Sequence, residues 1–210
     1  MMKYIFLFLI AFLFFSCKKN NRNDNQKINI SDITNEKNYK MTSKKENDTV
    51  VQISGENNQY ILHGSKDVKN NKKIGWWKIE DKTNKFLYEI EFISANPNKE
   101  NQIKFYNKGK LITRFSQYCD IVYKNNGYEF KFYFPKYNNE KTRVEFDYMT
   151  ENNNIIEDKS IDCKIEKDYY ICFIPRDKKD HSIAGVATFF SESENKGEAT
   201  FSSVSMFVSN

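Results

Sequence analysis

Glycine, proline and histidine are all scarce: the 210 residues hold seven Gly, three Pro and two His. So few glycines and prolines exclude collagen-like and proline-rich architectures, and no glycine-rich phosphate loop is present. Neither His63 nor His181 stands with a cysteine at ligand spacing, so no zinc site and no other metal or cofactor is expected. Charge of one sign is missing too, because 33 basic residues are interleaved with 28 acidic ones, for a net +5. Nucleic-acid recognition requires a concentrated basic stripe. The densest stretch, residues 66–85, holds seven Lys beside Asp67, Glu80 and Asp81 and reads as a solvated face. No nucleic-acid partner is expected. What the chain does have is aromatic bulk, with eighteen Phe and thirteen Tyr. Each ring buries a large area, so a sound core is available despite the modest aliphatic content.

The one long apolar run, residues 4–15, follows Met1-Met2-Lys3 and stops at Ser16-Cys17-Lys18-Lys19. About 20 apolar residues are needed to cross a bilayer, so this run is too short for a good membrane span. A basic start, an apolar middle and a small residue before a cysteine are the parts of a secretory signal. The arrangement resembles a bacterial lipoprotein lipobox, with Phe14 and Phe15 where the commonest pattern has Leu and then Ala or Ser. The resemblance implies cleavage before Cys17, a lipid on its thiol and an acylated amine, with residues 1–16 as signal peptide. An uncleaved anchor and ordinary secretion with a free Cys17 are the alternatives. Acyl chains contribute about 0.8 kcal/mol per buried methylene, so the expected partner of Cys17 is the membrane. The expected location is the cell envelope. Basic Lys18-Lys19 directly after Cys17 favour a periplasm-facing anchor over the cell surface.

From Lys18 to Asp48 the chain is polar, with Ile28, Ile30, Ile33, Tyr39 and Met41 as its sizeable apolar residues. That is too little burial to offset ordering entropy. Residues 17–48 therefore read as a lipidated cysteine and disordered tether, in which "INISDI" is a candidate short strand or docking motif.

Beyond residue 48 the period is two. Tyr128, Phe130, Phe132 and Phe134 alternate with Glu129, Lys131 and Tyr133; Thr142, Val144, Phe146 and Tyr148 alternate with Arg143, Glu145 and Asp147. Phe86, Tyr88, Ile90 and Phe92 oppose Leu87, Glu89, Glu91 and Ile93, and Val204, Met206 and Val208 share a face. "NPN", "NNG" and "NKG" punctuate the strands. Roughly twelve short strands predict an all-β fold of antiparallel sheets. So many strands point to two β units, residues 49–120 and 121–210.

In the first unit, Gly75-Trp76-Trp77 precedes a strand, and Tyr106, Gly109 and Leu111 follow in "IKFYNKGKLITRF". The stretch resembles a MORN-like repeat, over about forty residues. The resemblance implies a β-hairpin scaffold for interactions, and some bacterial relatives of that kind are antitoxin-like. Adjacent strand residues point to opposite faces. One of Trp76 and Trp77 is therefore core packing, and the other is a candidate partner contact. The second unit resembles an immunoglobulin-like β-sandwich in strand count and alternation.

With Cys17 lipidated, Cys119, Cys163 and Cys172 remain. A two-residue turn at Lys167-Asp168 would set Glu166 opposite Tyr169, Ile165 opposite Tyr170 and Cys163 opposite Cys172. That places the two cysteines in a non-hydrogen-bonded pair at the short end of disulfide range, with about 4.5 Å between Cα atoms. An extracytoplasmic compartment permits the bond. Two buried thiols, or a pairing that involves Cys119, are the alternatives.

No catalytic signature is present. Asp180-His181-Ser182 has the letters of a triad, but sequence neighbours do not adopt triad geometry on a strand. Glu89 and Glu91 fall on a solvent face rather than around a glycosidic bond. Three functional classes follow. The first is a non-enzymatic binding or assembly module, with a protein or other envelope partner. The others are an immunity protein that sequesters a toxin and an envelope hydrolase.

Overall fold

The computed structural model describes residues 29–135, 141–152, 155–176, 182–195 and 198–210. Cys17, the signal peptide, the first part of the tether and His181 lie outside the described residues. The chain divides into Met1–Ile30 and Ser31–Asn210, and the second unit carries every strand. Among the described residues no helix is long and apolar enough to cross a membrane.

The fold is all-β, with three antiparallel sheets among the described residues. Strands β1 (Lys40–Lys45), β2 (Val50–Glu56), β3 (Tyr60–Asp67), β4 (Lys73–Asp81), β5 (Phe86–Phe92), β6 (Gln102–Asn107) and β7 (Lys110–Leu111) pair in chain order as one meander. Strands β8 (Tyr118–Lys124), β9 (Gly127–Tyr133), β12 (Lys164–Ile165) and β13 (Tyr170–Pro175) form a second sheet, ordered β12-β13-β9-β8. The third, β11-β10-β14-β15, holds β10 (Lys141–Asn152), β11 (Ile155–Asp162), β14 (Ile183–Asn195) and β15 (Glu198–Ser209).

These two four-stranded sheets pack face to face as the sandwich. The even-numbered row Tyr128, Phe130, Phe132 and Phe134 meets Val144, Phe146, Phe189 and Met206 in one buried cluster. Phe146 contacts Phe130 at 5.0 Å and Phe132 at 5.1 Å between ring centroids. Offset and edge contacts of this kind add to the area that each ring buries.

The meander buries one face, which carries Ile53, Leu62, Trp77, Ile79, Tyr88, Ile90 and Phe92. Its cover comes from the segment expected to be tether. Ile30–Ile33 forms a single helical turn, Glu36–Asn38 a 3₁₀ turn, and Lys40–Lys45 joins the sheet as β1. The disordered reading of residues 17–48 is thus corrected over its described part. The ordering comes from long-range contacts, not from local apolar content. Ile33 is buried, and the Tyr39 hydroxyl donates to the Ile33 carbonyl at 2.5 Å. Lys66 pairs with Glu36 at 3.0 Å, and Lys73 donates to the Thr34 carbonyl at 2.7 Å. These two lysines turn inward, a departure from the solvated face read for residues 66–85. Burial depresses the Lys73 pKa, against a raising effect from Glu36.

Turn chemistry sets the register. Asn125 and Asn126 both adopt positive φ between β8 and β9, as do Lys108 and Gly109 between β6 and β7. Two left-handed residues in a two-residue loop match the twist of the flanking strands.

Candidate binding face

The two tryptophans separate cleanly. Trp77 is fully buried, and its ring lies on the backbone of Gly64, where any Cβ would strike it. Its indole N–H donates to the Ser65 carbonyl at 3.1 Å, and its ring meets Phe92 edge-on at 5.7 Å. Trp76 points to the other face and is 40% exposed.

Around Trp76 the outer face assembles a band that the sequence does not display as a motif. Lys104 on β6 places its ammonium 5.4 Å from the Trp76 ring and 5.0 Å from the Tyr118 ring. Tyr118 on β8 stacks flat on Tyr133 of β9, with centroids 4.3 Å apart and planes 4° from parallel. Tyr133 meets Tyr169 at 5.5 Å, and Lys131 stands 5.4 Å above Tyr169. The band therefore runs from the meander onto the outer face of the sandwich. It crosses where Ile103 bridges to Gln117. Burial pushes the Tyr118 and Tyr133 hydroxyls up, with the neighbouring Asp120 acting in the same sense. Rings with polar tips beside ammonium groups suit a ligand with a planar or apolar face and hydrogen-bonding edges.

The polar residues of this face are largely engaged with one another. Lys78 pairs with Glu89 at 3.3 Å, and Tyr106 donates to Glu89 at 3.0 Å. Burial and that bond push Tyr106 up to about 12. Glu91 accepts from Asn101 at 2.6 Å and from Gln102 at 2.8 Å. On the sandwich, Glu129 is buried between Lys124 and Lys131, at 2.5 and 3.2 Å. Desolvation raises its pKa, but the bonds and charges of the two lysines outweigh that and hold it below the ordinary value.

His63 lies within β3, on this same outer face, with Nδ1 3.0 Å from Ser54 Oγ. The pair sits on an exposed sheet surface with Lys78 directly across from His63. Among the described residues no group of three or more His, Cys, Asp and Glu is placed to hold a metal ion.

Cys163 and Cys172 stand at disulfide-bonding distance, with Cα atoms 4.8 Å apart. Ile165 faces Tyr170, and Glu166 N–H donates to the Tyr169 carbonyl at 2.8 Å. The pair sits where the chain passes from β11 of one sheet to β12 of the other: the Cys163 N–H donates to the Val144 carbonyl of β10 at 2.9 Å, whereas Cys172 lies on β13. Cys119 is free and packs against the sandwich core, and burial pushes its thiol pKa far up. A thiol in that state behaves as a small hydrophobe rather than a nucleophile.

Comparisons of the chain with protein-family models, with curated proteins and with solved structures returned no match.

Trp76 and Trp77 were legible as a pair facing opposite ways. Lys104, Tyr118, Tyr133, Tyr169 and Lys131 were not, because they come from four different segments. Only the register of β4 through β9 and β13 brings them into one row. Aligning the hairpins by their Asn-rich turns is the signal that could have found them.

Proposed function

We propose that this chain is a lipid-anchored extracytoplasmic β-protein that serves as a non-enzymatic binding module at the cell envelope. The signal-like residues 1–16 direct export, and Cys17 carries the lipid. The anchor faces the periplasm, and the β body binds a protein or other envelope partner. The meander is a MORN-like hairpin scaffold in this reading. The observation that carries the binding role is the exposed Trp76 with Lys104 over its ring, backed by the stacked Tyr118 and Tyr133, of which Tyr118 is itself buried. An exposed tryptophan on an open sheet face suits recognition of a surface better than enclosure of a reacting bond.

Two experiments test the reading. Cys17→Ala is expected to move the protein from membranes to the soluble fraction, and membrane retention would refute the anchor. Capture from crosslinked membranes is expected to yield one stoichiometric partner with the native chain and to lose it with Trp76→Ala. A captured toxin would recast the module as an immunity protein.

The envelope hydrolase is the second reading, and the Ser54–His63 hydrogen bond is what favours it. Ser54→Ala would abolish hydrolysis under that reading and leave partner capture unchanged under the first.

A further inference from the structure

Three open sheets present six edges: β1 and β7, β11 and β15, β12 and β8. An unpaired edge is a template for another strand, and proteins ordinarily blunt it with shortness, charge, proline or bulges. Five of the six are blunted in this way. β7 and β12 are two residues long. β1 carries Lys40, Lys44 and Lys45, and β11 carries Glu157, Asp158, Lys159 and Asp162. β8 carries Asp120 and Lys124, and its Cys119 N–H is already taken by Gln102 Oε1 at 2.8 Å.

β15 is the exception. It is twelve residues long, pairs with β14 in unbroken register from Glu198 to Ser209, and has no proline and no charge after Glu198. Residues 198–205 are all exposed, and Phe201, at 72%, is the most exposed large apolar side chain among the described residues. Among the described residues, one point of this edge is closed. Asn101 accepts from the Phe207 N–H at 2.7 Å and donates to the Phe207 carbonyl at 2.8 Å, standing in for a strand partner. Because backbone groups alternate along an antiparallel ladder, the same outward direction applies to Ala199, Phe201, Ser203 and Ser205. Those four positions have no partner strand among the described residues.

We propose that β15 is an assembly edge that takes the β15 of a second copy, antiparallel, so that two four-stranded sheets become one continuous sheet across a two-fold axis. The occupant follows from the strand's own chemistry. Like charges opposed across a pair are destabilising, and a strand without charges from Ala199 onward meets no such penalty in its own copy. Pairing centred on Ser202 sets Ala199 opposite Ser205 and Phe201 opposite Ser203. Every open N–H and C=O of the four positions then finds a partner. The small Ser203 leaves room for the opposing Phe201, and the two Phe201 rings become diagonal neighbours within aromatic reach. The contact is isologous and therefore closes at two copies instead of growing into a fibre.

The test is disulfide trapping in the full chain in its own membranes. On the two-fold axis, Ser202 faces its twin in a non-hydrogen-bonded pair with short Cα separation, suited to a disulfide. Ser202→Cys is expected to give a band of doubled mass under mild oxidation, and Ser209→Cys, far from the axis, to give only the background of the unsubstituted chain. Adding Ser203→Pro, which removes an outward N–H at an edge position that tolerates proline, is expected to abolish the band with the far-UV spectrum unchanged. Phe201→Lys, which sets ammonium groups across the axis, is expected to do the same. No band with Ser202→Cys, or a band that survives both blocking substitutions, overturns the proposal. The first of these results would hand the edge to a strand of another protein. Trp76→Ala should leave the band intact, which separates this edge from the aromatic band.

Discussion

The meander and the sandwich solve the same problem differently. In the sandwich, two sheets supply each other's cover, and the interior is almost wholly aromatic and aliphatic, from Tyr128 to Val208. Among the described residues no second sheet covers the meander. Its inner face is closed by the segment around Ile33 and Tyr39 at one end and by the turn Thr113–Phe115 at the other, where Phe115 meets Phe105 at 5.9 Å. Its buried residues include Lys66, Asp81, Asn101 and Gln102, each of them held by specific hydrogen bonds or ion pairs, while the sandwich buries Glu129, Thr150 and Ser191 beside its larger apolar core. The sandwich is therefore stabilised by bulk burial, whereas the meander depends on a cover and on polar bonds that a single change can remove.

That contrast sets the scale of the expected effects. Phe146→Ala, at the centre of the sandwich, should cost about 3–5 kcal/mol and lower the midpoint of global unfolding in denaturant. Ile33→Ala should cost less, about 2–4 kcal/mol. Its effect should fall on hydrogen exchange in β2 to β4, with β9 and β10 protected as before. Equal loss of protection in both regions would remove the distinction between them. Opening the Cys163–Cys172 bond, which closes a loop with a sequence separation of nine, should cost about 2–3 kcal/mol. A shift in thermal midpoint on reduction measures it.

Asp81 supplies a pH test confined to the meander. Burial alone would raise its pKa, but bonds from the Asn84 side chain and from the backbone N–H groups of Asn84 and Thr83 hold it below the ordinary value. A carboxyl depressed on folding contributes stability that is complete above the unfolded pKa and is lost as pH falls through the folded one. The β4–β5 turn should therefore loosen as pH falls through the folded pKa, as hydrogen exchange against pH would record. Asp81→Asn should weaken the acid dependence. The smallest effect is at Lys108, a lysine at φ +50° in the β6–β7 turn. Lys108→Gly should stabilise by about 0.5–1 kcal/mol, readable as a small rise in thermal midpoint.

Much of the fold could be read from period two alone, and the reason is visible in the meander. Strands such as β4, on which Trp77, Ile79 and Asp81 are buried and Trp76, Lys78 and Glu80 exposed, have one wet and one dry face, so alternation in sequence is alternation in burial. The Cys163 and Cys172 register was legible because a two-residue turn leaves no freedom in pairing. Ile33 and Tyr39 were not legible as structure, since five apolar residues among thirty-one carry no local pattern. Their order is bought by contacts thirty and more residues away, at Lys66 and Lys73. Asn101 belongs to the same class: its role appears only when Phe207, 106 residues later, lies beside it. The candidate site divides likewise. Trp76 stood out from its neighbour, and the row that completes it is a product of register.

The binding role of the Trp76 face is tested most directly by photo-crosslinking in living cells. A photoreactive amino acid would replace Trp76 in one variant. In another it would replace Ile156, a more open apolar position at 68% exposure on β11. The account predicts a single discrete adduct from position 76 and none from position 156. Adducts from neither position, or the same adducts from both, would contradict it.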